Sequence, residues 1–219
     1  MTPLQLLTWA RGTGLGWALA LCAAGIVLRL AEMLSLGRAA DLAPPRARSP
    51  GSGWRTVFSR SLPPPGMFRR EPVSYIAGYL FHLGLLFILF LSAAHIELFH
   101  ALWGLAWPAL PSPLVDAMAL VAIVSLLVLL VQRLTHPVKR FLSGFQDYLT
   151  WAVTLLPLLT GYLATHHLLL DYPLMLALHI LSVELLLVLL PFTKLFHSVS
   201  VFFSRWYNGD AFARKGVAS

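Results

Sequence analysis

Histidines are the residues of this sequence whose type and spacing could do chemistry in an apolar environment. Eight are present, and ionisable side chains inside a membrane are costly and usually mark a functional site. His179 and His197 are 18 residues apart, about five helical turns at ~100° per residue, so we expect both to share one face of a helix. His82, His95 and His100 follow one another along an earlier apolar segment.

The two histidine-bearing segments offer imidazoles at matching depths. If they are antiparallel helices, His82 and His197 lie towards one membrane face, and His95 and His179 lie towards the other. Imidazoles on facing helices can fill both axial positions of a haem iron, and such a haem transfers electrons rather than binding substrate. The pattern predicts two stacked bis-histidine haems b. A zinc site fits less well, because zinc needs three or four ligands at one depth.

The elements that must position these histidines are membrane helices. Of 219 residues, 58% are hydrophobic and 11% are charged, whereas soluble domains carry about 25% charged residues. This composition excludes an ordinary soluble enzyme and a disordered chain, and the one cysteine, Cys22, cannot form a disulfide within the chain. We therefore expect an all-α integral membrane bundle of five transmembrane helices in a single domain, 1–219. The predicted helices are 14–36, 73–98, 113–134, 148–168 and 174–197.

Positive charge is concentrated on one side of this predicted bundle. Seven arginines lie in the connection 37–72, and further Lys and Arg lie between the third and fourth helices and in the tail 198–219. The positive-inside rule predicts a bacterial inner-membrane protein with a periplasmic N-terminus, a cytoplasmic loop 37–72 and a cytoplasmic tail. The net charge of +7 is thus mainly a topology signal, with contact to anionic membrane lipids secondary. Nucleic acid is not an expected partner, because no basic face with interleaved aromatics is present.

The connection 37–72 is rich in Pro, Ser, Gly and Arg. This composition favours an extended or irregular segment. It is consistent with either a disordered linker or a strap onto which a partner docks.

Four further residues are candidates for contacts to a haem propionate or a quinone. Arg29 and Arg133, at the inner ends of the first and third helices, could pair with haem propionates or simply anchor the helices. Glu184 could relay protons for quinone chemistry or be a buried acid kept neutral. His167 could lie near a quinone or be an interfacial polar residue.

The fifth apolar segment resembles the cytochrome b family of the respiratory nitrate reductase gamma subunit. Its Leu178-His179, the stretch 190–196 (LPFTKLF) and His197 match the family's histidine, Pro-Phe-Ser-Arg-Leu-type stretch and second histidine at the same spacing. The segment 80–84 (LFHLG) is similar to the family's Phe-His-x-Gly. Leu28-Arg29 and Asp147 with Gly161 agree more loosely.

The resemblance implies a membrane anchor that holds two haems b and exchanges electrons with menaquinone or ubiquinone and with a cytoplasmic iron–sulfur subunit. By this resemblance, His82 and His197 are the axial ligands of the inner haem, and His179 is one ligand of the outer haem.

The second ligand of the outer haem is a departure from the family. The family places it ten residues after the first histidine of helix two, where this sequence has Ser92. His95 is the nearest replacement, but a regular helix would turn it by about 220° relative to His82, so the helix must be distorted. His100 restores the direction but lies near the membrane boundary. We prefer His95 for its depth, with His100 as the alternative, and a protein with only the inner haem as a third option.

Further departures resemble related subunits of sulfate-reducer transmembrane redox complexes. The family has a lysine near the start of its third helix, whereas this sequence has none at 112–116, so its quinol pocket cannot be carried over. In the sulfate-reducer complexes the cytoplasmic partner resembles heterodisulfide reductase rather than the nitrate reductase beta subunit, and a periplasmic multihaem cytochrome c can sit on the other face.

The expected function is that of a haem b-containing anchor subunit of a respiratory complex. It would move electrons between the quinone pool, or a periplasmic cytochrome c, and the cytoplasmic iron–sulfur subunit. As part of an oxidoreductase it would carry a quinol dehydrogenase or quinone reductase half-reaction. The alternatives are a transporter whose histidines relay protons and a haem-free structural membrane anchor.

Overall fold

The protein is a bundle of helices. A computed structural model describes residues 1–37, 45–46, 52–63 and 65–217, and no strand occurs among them. Five of the described helices are long and apolar enough to cross a membrane. The predicted all-α fold with five spans is therefore confirmed, and the chain is a multi-pass membrane protein.

The described helices differ in length and in role. The five spans are α1, α4, α6, α8 and α9, and the other helices connect or follow them. In chain order the helices are α1 (Pro3–Ser35), α2 (Ser52–Ser59), α3 (Pro65–Arg70), α4 (Pro72–Leu91), α5 (Ala93–Trp103), α6 (Ser112–Thr135), α7 (Pro137–Leu142), α8 (Phe145–Thr165), α9 (Tyr172–Leu189) and α10 (His197–Arg214).

The spans are arranged as a curved row. Helix α4 packs on α6, α6 on α8, α8 on α9, and α9 on α1. Phe81, Ala122, Leu126 and Leu158 form the buried cluster between α4, α6 and α8. The close approach of α4 and α6 depends on Gly84, because a Cβ there would lie 2.9 Å from the carbonyl oxygen of Met118 and 3.0 Å from Cβ of Ala122.

Helix α1 begins earlier than the predicted 14–36. Thr2 and Gln5 form a capping box that satisfies free backbone N–H groups at the first turn. The helix then widens into a π turn at Ala10–Gly14 before it continues to Ser35.

The segments predicted as an irregular loop, 37–72, and as a tail, 198–219, both contain helix. The expectation of an extended or irregular connection is wrong for α2 and α3. Helix α2 packs on α10, where a Cβ at Gly53 would lie 2.7 Å from Cδ1 of Trp206. Burial of this small-residue face supplies the free energy that a short isolated helix lacks. Residues 38–44, 47–51 and 64 of the predicted loop, and 218–219 of the tail, lie outside the described residues.

Two predicted spans are interrupted. The second, 73–98, is divided at Ser92, whose backbone is extended (φ −77°, ψ 134°). The fifth, 174–197, leaves α-helix at Leu189 and passes through two 3₁₀ turns on either side of an extended Thr193. Pro191 lies in the first of these turns and lacks the N–H that a regular helix needs. The expectation that His179 and His197 lie on one face of a continuous helix is therefore wrong.

Candidate functional site

The first histidine pair lies at the end of the bundle where α2, α3, α7 and α10 gather. His82 comes from the interior of α4, and His197 is the first residue of α10. Their ring centroids are 6.2 Å apart, and the ring planes meet at 82°. Both side chains are exposed. We call His82 and His197 the inner pair.

The second histidine pair lies at the opposite end. His179 comes from the interior of α9, and His95 lies in the first turn of α5. Their ring centroids are also 6.2 Å apart, but the planes are nearly parallel, at 25°. Both residues are half-buried. We call His95 and His179 the outer pair, and His100, the alternative ligand, lies exposed further along α5.

All four paired histidines use the same ring nitrogen in the same way. Each Nδ1 contacts a backbone carbonyl oxygen, and since a carbonyl only accepts, Nδ1 must carry the proton. The Nε2 lone pair is then available to a metal, which is how second-shell hydrogen bonds orient histidine ligands. The contacts are His82 to Gly78 at 2.7 Å, His95 to Ile88 at 2.8 Å, His179 to Pro157 at 3.1 Å and His197 to Lys194 at 2.7 Å.

The spacing of the rings suits one metal atom between the two members of each pair. A metal–imidazole bond is about 2 Å long, and the ring centre lies about 1 Å behind the nitrogen, so two imidazoles on opposite sides of one metal have centroids about 6 Å apart. The observed 6.2 Å agrees with this separation at both ends.

The break at Ser92 turns His95 towards α9. Carbonyl groups of the last turn of α4 accept hydrogen bonds from outside that helix. Nδ1 of His95 donates to the oxygen of Ile88, the indole N–H of Trp107 donates to Phe90 at 2.5 Å, and the N–H of Leu110 donates to Leu91 at 2.9 Å. The break therefore supplies the distortion that His95 requires.

Gly161 of α8 makes room for His179. A Cβ at this position would lie 3.0 Å from Cε1 and 3.2 Å from Nδ1 of the His179 ring. The hydroxyl of Thr160, one residue earlier, lies 3.4 Å from the same Nδ1. The His179 ring therefore packs directly against Gly161 of α8, where the Pro157 carbonyl and the Thr160 hydroxyl contact its Nδ1.

Charged groups support the segment that carries His197. Asp147 accepts a hydrogen bond from Lys194 at 2.7 Å and forms an ion pair with Arg133 at 3.1 Å. The backbone carbonyl of Lys194 also accepts the hydrogen bond from Nδ1 of His197. Asp147 therefore links α6 and α8 to the turn that positions the inner pair.

Arg29, a predicted propionate contact, lies close to the inner pair. Its guanidinium sits 5.9 Å from the ring centroid of Phe196, the residue before His197, and it pairs with Glu32 at 2.6 Å. Arg133, the other predicted propionate contact, is engaged by Asp147.

A second ionic link joins the start of α4 to α7. Lys139 donates to Glu71 at 2.6 Å, and the Ser74 hydroxyl donates to the same carboxylate at 2.9 Å. The hydrogen bond from Lys139, followed by that from Ser74, holds the pKa of Glu71 below its ordinary value. The carboxylate is thereby kept ionised next to the helix that carries His82.

The remaining predicted residues lie away from both pairs. His167 stacks on Tyr172 with ring centroids 4.7 Å apart, in the connection between α8 and α9. Glu184 is buried on the face of α9 that meets α1. Of the other histidines, Nε2 of His166 lies 3.5 Å from Asp116, and Nε2 of His136 lies 3.9 Å from Glu71.

In the sequence, Asp147 and Gly161 are only looser points of the family resemblance, and the distortion that His95 requires has no assigned position. The helix break at Ser92 was signalled by the displaced histidine at 95, and Gly161 by a small residue in an otherwise bulky helix. The backbone carbonyls that fix the four tautomers left no signal in the sequence.

The chain is similar to a known bacterial protein. A protein of Nitratidesulfovibrio vulgaris (strain Hildenborough), whose name states no activity, is 34% identical over 148 residues, covering 68% of this chain. The match spans 65% of that protein, so this chain covers less than two thirds of its length. No protein-family model and no solved structure matches the chain.

Proposed function

We propose that this chain is a haem b-containing, electron-transferring anchor subunit of a respiratory complex in a bacterial inner membrane. The observation that carries the proposal is the pair of histidine pairs, each with 6.2 Å between ring centroids and each with both Nδ1 atoms on backbone carbonyls. His82 and His197 would hold the inner haem iron, and His95 and His179 would hold the outer one. Bound haem supplies one-electron redox chemistry.

The number of protein ligands favours haem over a bare metal ion. Within the part of the chain that the structure describes, no group of three or more His, Cys, Asp or Glu side chains could hold a metal ion. A structural zinc ion needs four protein ligands, whereas the porphyrin supplies four of the six nitrogens around a haem iron.

The packing of the spans also favours a large flat group between the pairs. The members of each pair come from helices, α4 and α10 for the inner pair and α5 and α9 for the outer pair, that are not among the helix pairs in extensive contact. Gly78, one turn before His82 on the same face of α4, has nothing within 4 Å of the place where a Cβ would be. This open space adjoins the inner pair and can accept the porphyrin.

The charge distribution supports an orientation in which the inner pair faces the cytoplasm. The end with the inner pair carries the basic residues of α3, α7 and α10, and by the positive-inside rule this charge favours a cytoplasmic location. The inner haem would exchange electrons there with an iron–sulfur subunit, of the nitrate reductase beta-like or heterodisulfide reductase-like kind. The outer haem would exchange electrons with menaquinone, ubiquinone or a periplasmic multihaem cytochrome c.

Optical spectroscopy of the purified full chain tests this function. We expect reduced-minus-oxidised bands of low-spin haem b, which are lost in part in His82→Ala and unchanged in the matched control His100→Ala. If an added quinol reduces the haem, so that the same bands develop, the result would support electron exchange with quinone. A colourless protein would instead favour the proton-relay transporter or the haem-free anchor.

A further inference from the structure

A second polar site is built between α1 and α9, away from the histidine pairs. It is a shallow cavity of about 280 Å³, widely open at the protein surface, whose lining is apolar apart from one carboxyl group. Its lining includes Trp9, Gly14, Trp17, Leu21, Glu184 and Leu185.

Glu184 is the polar group of this cavity. It is 8% exposed, and its Oε1 is buried with no hydrogen-bond partner among the described residues. A buried carboxyl group without a partner costs a substantial part of its hydration free energy. A native site that tolerates this cost is expected to offset it with a ligand that hydrogen-bonds to the carboxyl group.

The backbone of α1 is shaped around this carboxyl group. A Cβ at Gly14 would lie 2.7 Å from Oε1 of Glu184 and 2.9 Å from Cζ3 of Trp9. Gly14 is also the last residue of the π turn Ala10–Gly14, and π turns inside helices are frequent at functional sites. The widened turn and the missing side chain together leave the space in which the carboxyl group lies.

The cavity opens sideways through apolar residues. Trp17, Leu21 and Leu185 at its rim are 65%, 50% and 44% exposed. Glu184 lies roughly 18 Å of helix rise from the start of α9, well inside the thickness of a bilayer's hydrocarbon core. A ligand reaching this carboxyl group must therefore arrive from the lipid phase.

We infer that this cavity binds the ring of a quinol or quinone from the lipid phase, with a ring oxygen hydrogen-bonded to the Glu184 carboxyl group. An ionised carboxyl group accepts a bond from a quinol O–H, and a protonated one donates to a quinone C=O, so both ring forms can be held. Trp9 and Trp17 line the cavity, and indole rings pack favourably against other aromatic rings.

The inference rests on the proposed electron-transfer function, for which it supplies the place of quinone exchange. Glu184 follows His179 by about 7.5 Å of rise along α9 and points to a different side of the helix. A ring held by Glu184 would therefore lie on a different side of α9 from His179.

Titration calorimetry on the full chain in lipid nanodiscs tests the site, with heptyl-hydroxyquinoline N-oxide as a quinol analogue. We expect Glu184→Met, which keeps the bulk and removes the hydrogen bond, to weaken binding about tenfold. Glu184→Gln should restore part of the affinity. Gly14→Ala should weaken binding by filling the turn, whereas Gly16→Ala on the same helix, with nothing within 4 Å of its Cβ position, should bind as the unaltered chain does.

The outcomes separate this site from the function proposed above. Equal binding by Glu184→Met and the unaltered chain, or equal effects of Gly14→Ala and Gly16→Ala, would overturn the site. Haem absorbance measured on the same samples should be unchanged in all four variants. A chain that binds haem but not the analogue overturns the site alone, and a chain that binds the analogue but lacks haem overturns the electron-transfer function alone.

Discussion

The inner and outer pairs reach the same ring separation by different means. Each combines one histidine from an unbroken helix, His82 or His179, with one that follows a helix break, His197 or His95. The inner pair is exposed, nearly perpendicular and supported by ion pairs. The outer pair is half-buried, nearly parallel and supported by neutral contacts.

This difference predicts which kind of substitution weakens each pair. Ionic supports respond to pH, to salt and to removal of a charge, because exposed ion pairs are weak and screened. Neutral, closely packed contacts are disrupted by a larger side chain, because a close-packed interior tolerates little added bulk. The two sites should therefore be separable by substitutions that leave all four histidines in place.

Removal of a histidine has the largest expected effect. His82→Ala should abolish the inner haem, and His95→Ala should abolish the outer one, so that each variant keeps about half of the haem, because both axial ligands are needed for a low-spin site. Haem content relative to protein checks this, with His100→Ala as the control.

Electron paramagnetic resonance then shows which haem each variant has lost. Near-perpendicular imidazole planes leave two iron d orbitals close in energy and give a more anisotropic low-spin signal than near-parallel planes. The more anisotropic signal should disappear in His82→Ala and persist in His95→Ala. Loss of the same signal in both variants would contradict the assignment of the pairs.

The next largest effect on haem binding is expected from a larger side chain beside the outer pair. Gly161→Ala places a Cβ 3.0 Å from the His179 ring, so the ring must shift and the outer haem should bind about tenfold more weakly, as for other second-shell changes. The inner signal should stay unchanged. Gly144→Ala, at the start of the same helix with open space around its Cβ position, is the control, and an equal effect of both substitutions would rule out the packing argument.

Removal of charge beside the inner pair should have a smaller effect. Asp147→Asn frees Lys194 and Arg133 from their partner and loosens the turn before His197. Since Lys194 is 56% exposed, we expect a two- to fivefold weaker inner haem, about what a surface ion pair contributes. Haem titration of the apoprotein measures it, and a selective effect on the outer haem would contradict the support assigned to Asp147.

Acid pH should have the smallest effect, a loss of stability through the link between Glu71 and Lys139 at the end that carries the inner pair. Because the pKa of Glu71 is lowered by Lys139 and Ser74, its contribution to stability is present above the unfolded-state pKa and is lost as the pH falls through the lower folded-state pKa. Melting temperatures in detergent should therefore fall across this acidic range. Glu71→Gln should flatten that part of the profile, and an unchanged profile would show that the link contributes nothing.

The sequence predicts the parts of this architecture that depend on hydrophobicity and depth. Five apolar segments and one basic side were enough for the all-α fold, and depth alone placed His82 with His197 and His179 with His95. The helical face argument for His179 and His197 failed because Pro191 and Thr193 interrupt the helix. Helical periodicity alone does not register a break at a proline, which lacks the N–H of a regular helix.

The connections were harder to predict for a related reason. Helix α2 is too short to be stable alone, and it forms where Gly53 meets Trp206 of α10, more than a hundred residues away. The Gly14 turn around Glu184 likewise depends on a contact between α1 and α9. Neither contact is encoded in the composition of its own segment.

Haem stoichiometry of the purified full chain is the most direct test of the two histidine pairs. The pyridine haemochrome method measures haem b per polypeptide without regard to ligands or partners. Two histidine pairs with matching 6.2 Å ring separations predict two haems b per chain. One haem per chain would contradict the role of the outer pair, and a chain without haem would contradict the electron-transfer function altogether.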